Sequence, residues 1–365
     1  MPEKTTNRSD FLFCRNFGRK RKKFMNASST RRLTPAMKAM IGVVIVALLL
    51  AAGLTAGWFY LAGEIDRRVA GAIDRAAGGG ATIECEGRQV FGYPFRIGLG
   101  CDAVMVASPA SGIRVSAGAF RTAAQIYDTN LVISELTGPV QVDAPNVPPL
   151  ELSYSLAQSS THFSGSRLQR FSLAIDNPSL ALRQPAGEPS APLAQSARLE
   201  VHARQNGQDL DLAVSDKAVT MSAPGLPALP PFDLATDASI TGGAEWITGV
   251  LPGGRLETAL RGRSGVLRQL QLTLQGGGAA EISGPFQFSP EGLLTGRFSI
   301  AVENPQAIAD LVTSIAPAAA GVANAVAGGI GFAGRQVDGR SVIDIDVQNG
   351  RARLGFIPLG DIPPL

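Results

Sequence analysis

The chain has 365 residues, 45 % of them hydrophobic and only 17 % charged, with 42 glycines and 24 prolines. That length is ample for a buried core, and so little charge excludes a solvated disordered tail; a net charge of only +3 excludes a protein basic enough throughout to be read as a nucleic-acid binder. The charge is unevenly placed, because residues 1–38 carry eleven Lys/Arg against Glu3 and Asp10, net +9, and the rest of the chain is net −6.

The basic excess includes the run Arg19, Lys20, Arg21, Lys22, Lys23 and forms a tail of residues 1–38. Aromatics do not alternate with these bases as they do in single-strand binders, so the tail reads as solvated or facing lipid headgroups, with no nucleic-acid partner. Residues 39–63, "AMIGVVIVALLLAAGLTAGWFYLAG", carry no charge. A helix needs about 20 apolar residues to cross the roughly 30 Å hydrocarbon layer, so this stretch predicts one transmembrane helix. Trp58, Phe59 and Tyr60 fall where an interfacial aromatic belt belongs, and the bases on the N-terminal side place that side in the cytoplasm. A cleaved signal peptide is the alternative. Its apolar core is normally about 7–15 residues and leads to a small-x-small site; this run is longer and ends in aromatics.

Residues 64–77, "EIDRRVAGAIDRAA", predict a juxtamembrane helix, with Ile65, Val69 and Ile73 on one stripe and Glu64 four residues before Arg68. Gly78, Gly79 and Gly80 end it. From there to about residue 300 the apolar period is two. "LELSYSL" puts Leu150, Leu152, Tyr154 and Leu156 on one face, and "RLQRFSLAI" and "LRQLQLTLQ" repeat the pattern of antiparallel strands with one apolar side.

Two Asn-Gly pairs predict two-residue hairpin turns. Around Asn206-Gly207 the expected partners are Arg204 with Asp209, Ala203 with Leu210, His202 with Asp211, Val201 with Leu212 and Leu199 with Val214. Around Asn349-Gly350 they are Val347 with Ala352, Asp346 with Arg353 and Ile345 with Leu354. The carboxylate pairs Asp209/Asp211 and Asp344/Asp346 invite a metal or acid-base reading. Opposite charges across the strands favour a solvated face instead. His202 joins that face and His162 stands alone. No HExxH, CxxC, GxSxG or P-loop occurs, and Lys217 is the only lysine beyond residue 38, so catalytic residues, metal ligands and cofactors are all expected to be absent and the protein is not read as an enzyme.

Near the C-terminus Asn304 can cap and Pro305 can start an amphipathic helix with Ile308, Leu311, Val312 and Ile315 on one stripe, ending before Pro317. The uncharged run from Leu311 to Gly334 makes a poor second span, interrupted by Pro317, Asn324 and glycines; a helix or loop packed on the sheet is expected. The Pro-rich stretches "PNVPPL", "PAGEPSAPL" and "PGLPALPPF" predict loops, the last dividing the β-rich region 78–365 into two halves near 223–232.

Cys85 and Cys101 bracket "EGRQVFGYPFRIGLG", both beyond the span and in an oxidising compartment, whereas Cys14 lies on the cytoplasmic side. A structural disulfide is expected, worth ~3 kcal/mol for a loop of about 15 residues; a redox pair would need closer spacing. Within the loop Gly92 allows a turn, Pro94 pushes Tyr93 toward extended geometry, and alternation sends Phe95 and Ile97 to one face and Arg96 to the other. Gly92, Tyr93, Pro94, Phe95 and Arg96 thus read as a corner where the helical stalk enters the sheet.

The C-x15-C frame around "GYPFRIGL", "SAGAFRTAAQIYDTNLVISELTGPVQVDAP" and the ending "DGRSVIDIDVQNGRARLGFIPLGDIPPL" resemble the alphaproteobacterial envelope family known as domain of unknown function 2125. The resemblance implies a membrane-tethered periplasmic protein of the Gram-negative inner membrane and brings no catalytic residue or cofactor. More loosely, the layout is similar to AsmA-like envelope proteins, whose curved sheets form lipid-lined grooves.

The fold class expected is mainly β: an N-terminal transmembrane helix, then an elongated, curved antiparallel sheet domain with an amphipathic C-terminal helix packed on it. Two functions fit. In one, the apolar sheet face stays partly open and holds a lipid or other amphipathic molecule for envelope maintenance. In the other, the faces close into a non-enzymatic scaffold for protein partners.

Overall fold

The computed structural model describes residues 34–165, 167–184, 190–222, 229–337 and 339–365. Most of the basic tail with Cys14, and the parts of the Pro-rich loops at 185–189 and 223–228, lie outside the described residues. The chain divides into two compact units, Met1–Ala52 and Gly53–Leu365.

In the first unit residues 35–52 are helical, and Thr34 Oγ1 accepts from the Met37 N–H at 3.3 Å to cap the start. This helix, α1, runs Pro35–Gly78, so the uncharged stretch 39–63 and the segment 64–77 belong to one helix. It is long and apolar enough to cross a membrane.

The second unit carries all 23 described strands, paired antiparallel into an open sheet that does not close on itself. The strands form two leaves. The first leaf contains Thr82–Glu86, Ala103–Ser108, Ile113–Ala117, Val140–Ala144, Val147–Ser153, Ser179–Leu182, Ala191–Gln195 and the end of Asp209–Met221. The second leaf begins at Gln89–Phe91 and Arg96–Cys101, and passes through Phe120–Gln125, Asp128–Leu136, Leu156–Ser164, Arg167–Asp176 and Arg198–Asn206 to Asp209–Met221. It continues through Phe232–Ile240, Ser264–Leu274, Ala279–Phe288, Leu294–Glu303, Arg340–Gln348 and Arg351–Leu354 to Ile357–Asp361.

The chain crosses repeatedly between leaves, and a crossing can change the side its residues face. Leu152 and Leu180 share an apolar row in the first leaf, and the chain then enters the second leaf with Ala157 and Ile175 on the apolar side. Leu156 faces Asp176 on the polar side. The single face expected for "LELSYSL" therefore stops at Leu152, because a one-residue slip inverts every following side chain. At Ala218 the same device is a bulge with φ +52° inside one strand, which puts Asp216 and Val219 in successive pairs with Leu234 and Phe232.

One predicted hairpin forms nearly as counted. Asn349 and Gly350 both have positive φ, as a type I′ turn requires, and Val347 pairs with Ala352 and Asp346 with Arg353. The ladder ends there, and Ile345 pairs with Phe298 on its other side. The other hairpin is shifted by two residues: Asn206 pairs with Asp209, Arg204 with Asp211, Ala203 with Leu212 and Val201 with Val214. Only Gly207 has positive φ there, so Gly207-Gln208 is the turn and Asn206 belongs to the strand. A shift of two leaves each residue on its predicted face.

The apolar side of the second leaf is covered in patches. A short turn, Ala244–Thr248, drops Trp246 and Ile247 onto Ala203, Leu210 and Ile240, joined by Ala259 of the small helix α2 (Leu256–Leu260). The C-terminal strands are covered by two helices, α3 (Pro305–Ile315) and α4 (Ala320–Ala333); of the helix or loop expected after Pro317, the helix forms.

Candidate functional site

The helix pair creates the most chemically uniform site. Asn304 Oδ1 accepts from the Ala307 N–H at 3.4 Å and Pro305 takes the first position of α3, which presents Ile308 and Leu311 to the sheet. The break at Pro317 lets α4 turn back. The small residues of α4 allow close approach; a side chain at Gly329 would lie 3.0 Å from Leu354. Beneath lie Ile282, Ile300 and Ile343, aligned across three strands.

Between helices and sheet remain two adjoining clefts of about 270 and 210 Å³, which share Ile282, Ile300, Val322 and Val326. The first adds Leu270, Phe298 and Ile345, the second Ile308, Val312 and Ala323. Every described lining residue is apolar, so among these water finds no side-chain hydrogen-bond partner. An apolar cleft of this kind offers burial to an apolar molecule. The uncharged run 311–334 was visible in the sequence, but not the strands it would cover.

A second constellation ties the sheet to α1. Cys85 and Cys101 form a disulfide with Cα atoms 5.2 Å apart, joining an edge strand of one leaf to a strand of the other. Gly92 has φ +106°, its carbonyl accepts from the Arg96 N–H at 2.8 Å, and an added Cβ would lie 2.9 Å from the Arg96 backbone. The Tyr93–Pro94 bond is cis. Trp58 is buried, 8 % exposed, and its indole N–H donates to the Arg96 carbonyl at 2.7 Å, so it faces protein and is not a belt residue. Tyr93 packs edge-on against Trp58 at 5.6 Å, and its hydroxyl is 2.8 Å from Thr55 Oγ1. Arg88 pairs with Asp66 at 2.9 Å. Phe95 lies in the turn and is exposed, so it does not share the buried side of Ile97, contrary to the alternation reading.

The family model described as an uncharacterized protein conserved in bacteria (DUF2125) matches residues 58–363. The chain belongs to this family. In this DUF2125 protein the match takes in the disulfide, the corner and both C-terminal helices. No curated protein and no solved structure matches, and the looser likeness to AsmA-like proteins finds no counterpart there.

The polar side of the second leaf holds the remaining chemistry of this DUF2125 chain. His162, Arg170, Arg204 and Asp211 stand in one row across four strands, so His162 is not isolated. Asp211 is only 7 % exposed, which corrects the solvated reading. It accepts from Arg204 at 2.7 Å and lies 3.4 Å from Arg268, which in turn bonds Asp237 at 2.6 Å. The Arg204 hydrogen bond holds the Asp211 carboxyl below the ordinary range despite burial. His202 meets Ser172 Oγ at 3.0 Å and pairs in register with Ala213, not Asp211. Asp209 accepts from the Gly242 N–H at 2.9 Å. Asp346 pairs with Arg297 at 2.8 Å and Asp344 with Arg335 at 3.8 Å. Among the described residues no three His, Cys, Asp or Glu side chains gather as metal ligands.

Proposed function

We propose that this is a single-pass bacterial inner-membrane protein that binds, without catalysis, the hydrocarbon part of a lipid or other amphipathic molecule in the cleft beneath α3 and α4. The observation that carries the reading is the cleft lining: Ile282, Ile300, Val322, Val326 and their neighbours offer neither a nucleophile nor a titratable group. In this reading the basic tail is cytoplasmic by the positive-inside rule. The sheet lies in the periplasm, where a disulfide persists, and serves envelope maintenance.

Two measurements test it. Native mass spectrometry with lipid extraction on the purified full chain should recover a stoichiometric lipid. Binding of a straight-chain carboxylate series should tighten about fourfold per methylene until the cleft is full, since each buried CH₂ contributes about 0.8 kcal/mol. Val326→Asp should abolish both signals. A folded protein that is empty and indifferent to chain length would replace this reading with the closed scaffold that serves protein partners.

A further inference from the structure

The chain has four tyrosines, and three of them, Tyr60, Tyr93 and Tyr127, occur with Phe59 and Phe95 around the point where the apolar part of α1 ends. These five rings come from three places in the sequence: α1, the "GYPF" turn and the hairpin tip between Phe120–Gln125 and Asp128–Leu136. All five are exposed, between 53 and 76 %. The Ile126 N–H donates to the Phe95 carbonyl at 3.1 Å, which holds the Tyr127 tip against the turn. Arg96, next in the chain, is exposed beside them.

We propose that these residues form an aromatic collar that seats this corner of the sheet in the headgroup boundary of the bilayer. The inference rests on α1 spanning the membrane. The depth follows from the contacts: Tyr93 touches Thr55 through its hydroxyl, stacks on Phe59 at 6.2 Å and packs against Trp58. Residues 55 to 59 rise only about 6 Å along the helix axis. Tyr93 is therefore held level with the last turns of the uncharged stretch 39–63, the layer where an apolar helix leaves hydrocarbon. Tyrosine suits that layer because its ring is apolar and its hydroxyl wet, and the Arg96 guanidinium can extend to lipid phosphate. In a fully aqueous setting the same five rings would stay exposed around one corner, the kind of apolar patch that marks an interaction surface. The partner is the lipid surface, because Phe59 and Tyr60 continue the helix that enters it.

The test is site-directed spin labelling of the full chain in phosphatidylethanolamine/phosphatidylglycerol liposomes, in a Cys14→Ser background with the disulfide oxidised. Labels are placed at Asp128→Cys beside the collar, at Leu49→Cys within the apolar stretch and at Ser111→Cys on a far hairpin. The label at 128 should be shielded several-fold from a water-soluble nickel chelate relative to that at 111, and Phe95→Ser with Tyr127→Ser should return it to the aqueous value. If the label at 49 is in hydrocarbon but that at 128 is aqueous, the collar is wrong and the span stands. If both are aqueous, the spanning reading falls and takes the collar with it.

Discussion

Replacing Asp211 by alanine removes the one charged side chain among the described residues that is buried, at 7 % exposure. Its carboxylate accepts from Arg204 at 2.7 Å, Asn206 at 3.3 Å and Arg268 at 3.4 Å, and only the first is at charge-assisted length. A hydrogen bond to a charged group is worth about 1.5–3 kcal/mol, and breaking a fully buried ion pair costs about 3–5 kcal/mol. The two arginine side chains are 56 % and 41 % exposed. They regain water when the carboxylate goes, so the larger figure does not apply, and Asp211→Ala should cost about 2 kcal/mol. Urea unfolding of the detergent-solubilised full chain at pH 7 measures this. The Arg204 hydrogen bond depresses the folded pKa of Asp211. Such a group stabilises fully above its unfolded pKa of about 3.9 and loses that contribution as pH falls through the lower folded value. The gap between wild type and variant should be flat from about pH 5 to 8 and narrow in stronger acid. A gap at pH 7 below about 0.5 kcal/mol, the range of ordinary surface substitutions, or one that does not narrow in acid, would refute the argument.

Gly92→Ala should lower stability by about 1–3 kcal/mol, because φ +106° is strained for a side chain and the new Cβ meets the Arg96 backbone at 2.9 Å; thermal unfolding checks it. Reducing Cys85–Cys101 opens a connection spanning 16 residues and should cost ~3 kcal/mol. With Trp246→Phe as background, Trp58 fluorescence reports whether the corner loosens. The two Asn-Gly pairs should respond differently. Asn349→Ala places alanine at φ +48° and should cost about 1–2 kcal/mol. Asn206→Ala meets no such backbone strain and loses only the long 3.3 Å hydrogen bond to Asp211, so it should cost about 0.5 kcal/mol, with a parallel urea titration separating the two.

Much of the architecture was legible because its signals are local. An uncharged stretch of bilayer length, period-two strands, Asn304-Pro305 at a helix start and two cysteines bracketing a turn each report a constraint that acts over a few residues. Asn349-Gly350 even yielded its register, since both residues adopt the positive φ that the turn demands. Asn206-Gly207 failed for an instructive reason. Two turns of the same length fit "NGQ", and the choice fell to the pairing of Arg204 with Asp211, whose carboxylate is also shared with Arg268 from a strand more than fifty residues away.

The same distinction between local and distant constraints runs through the rest of the fold. The apolar helix of membrane-spanning length, the β-rich class, the capped helix and the disulfide follow from hydrophobic length, alternation and cysteine placement, which the chain carries regardless of its neighbours. Alternation says that one face of a strand avoids water without saying what covers it. Leu156 on the polar side, Trp58 turned into protein, Asp211 buried between arginines and an apolar cleft beneath α3–α4 all depend on which distant strand or helix arrives opposite. A slip of one residue at a crossing inverts a face, and nothing local to the strand records it.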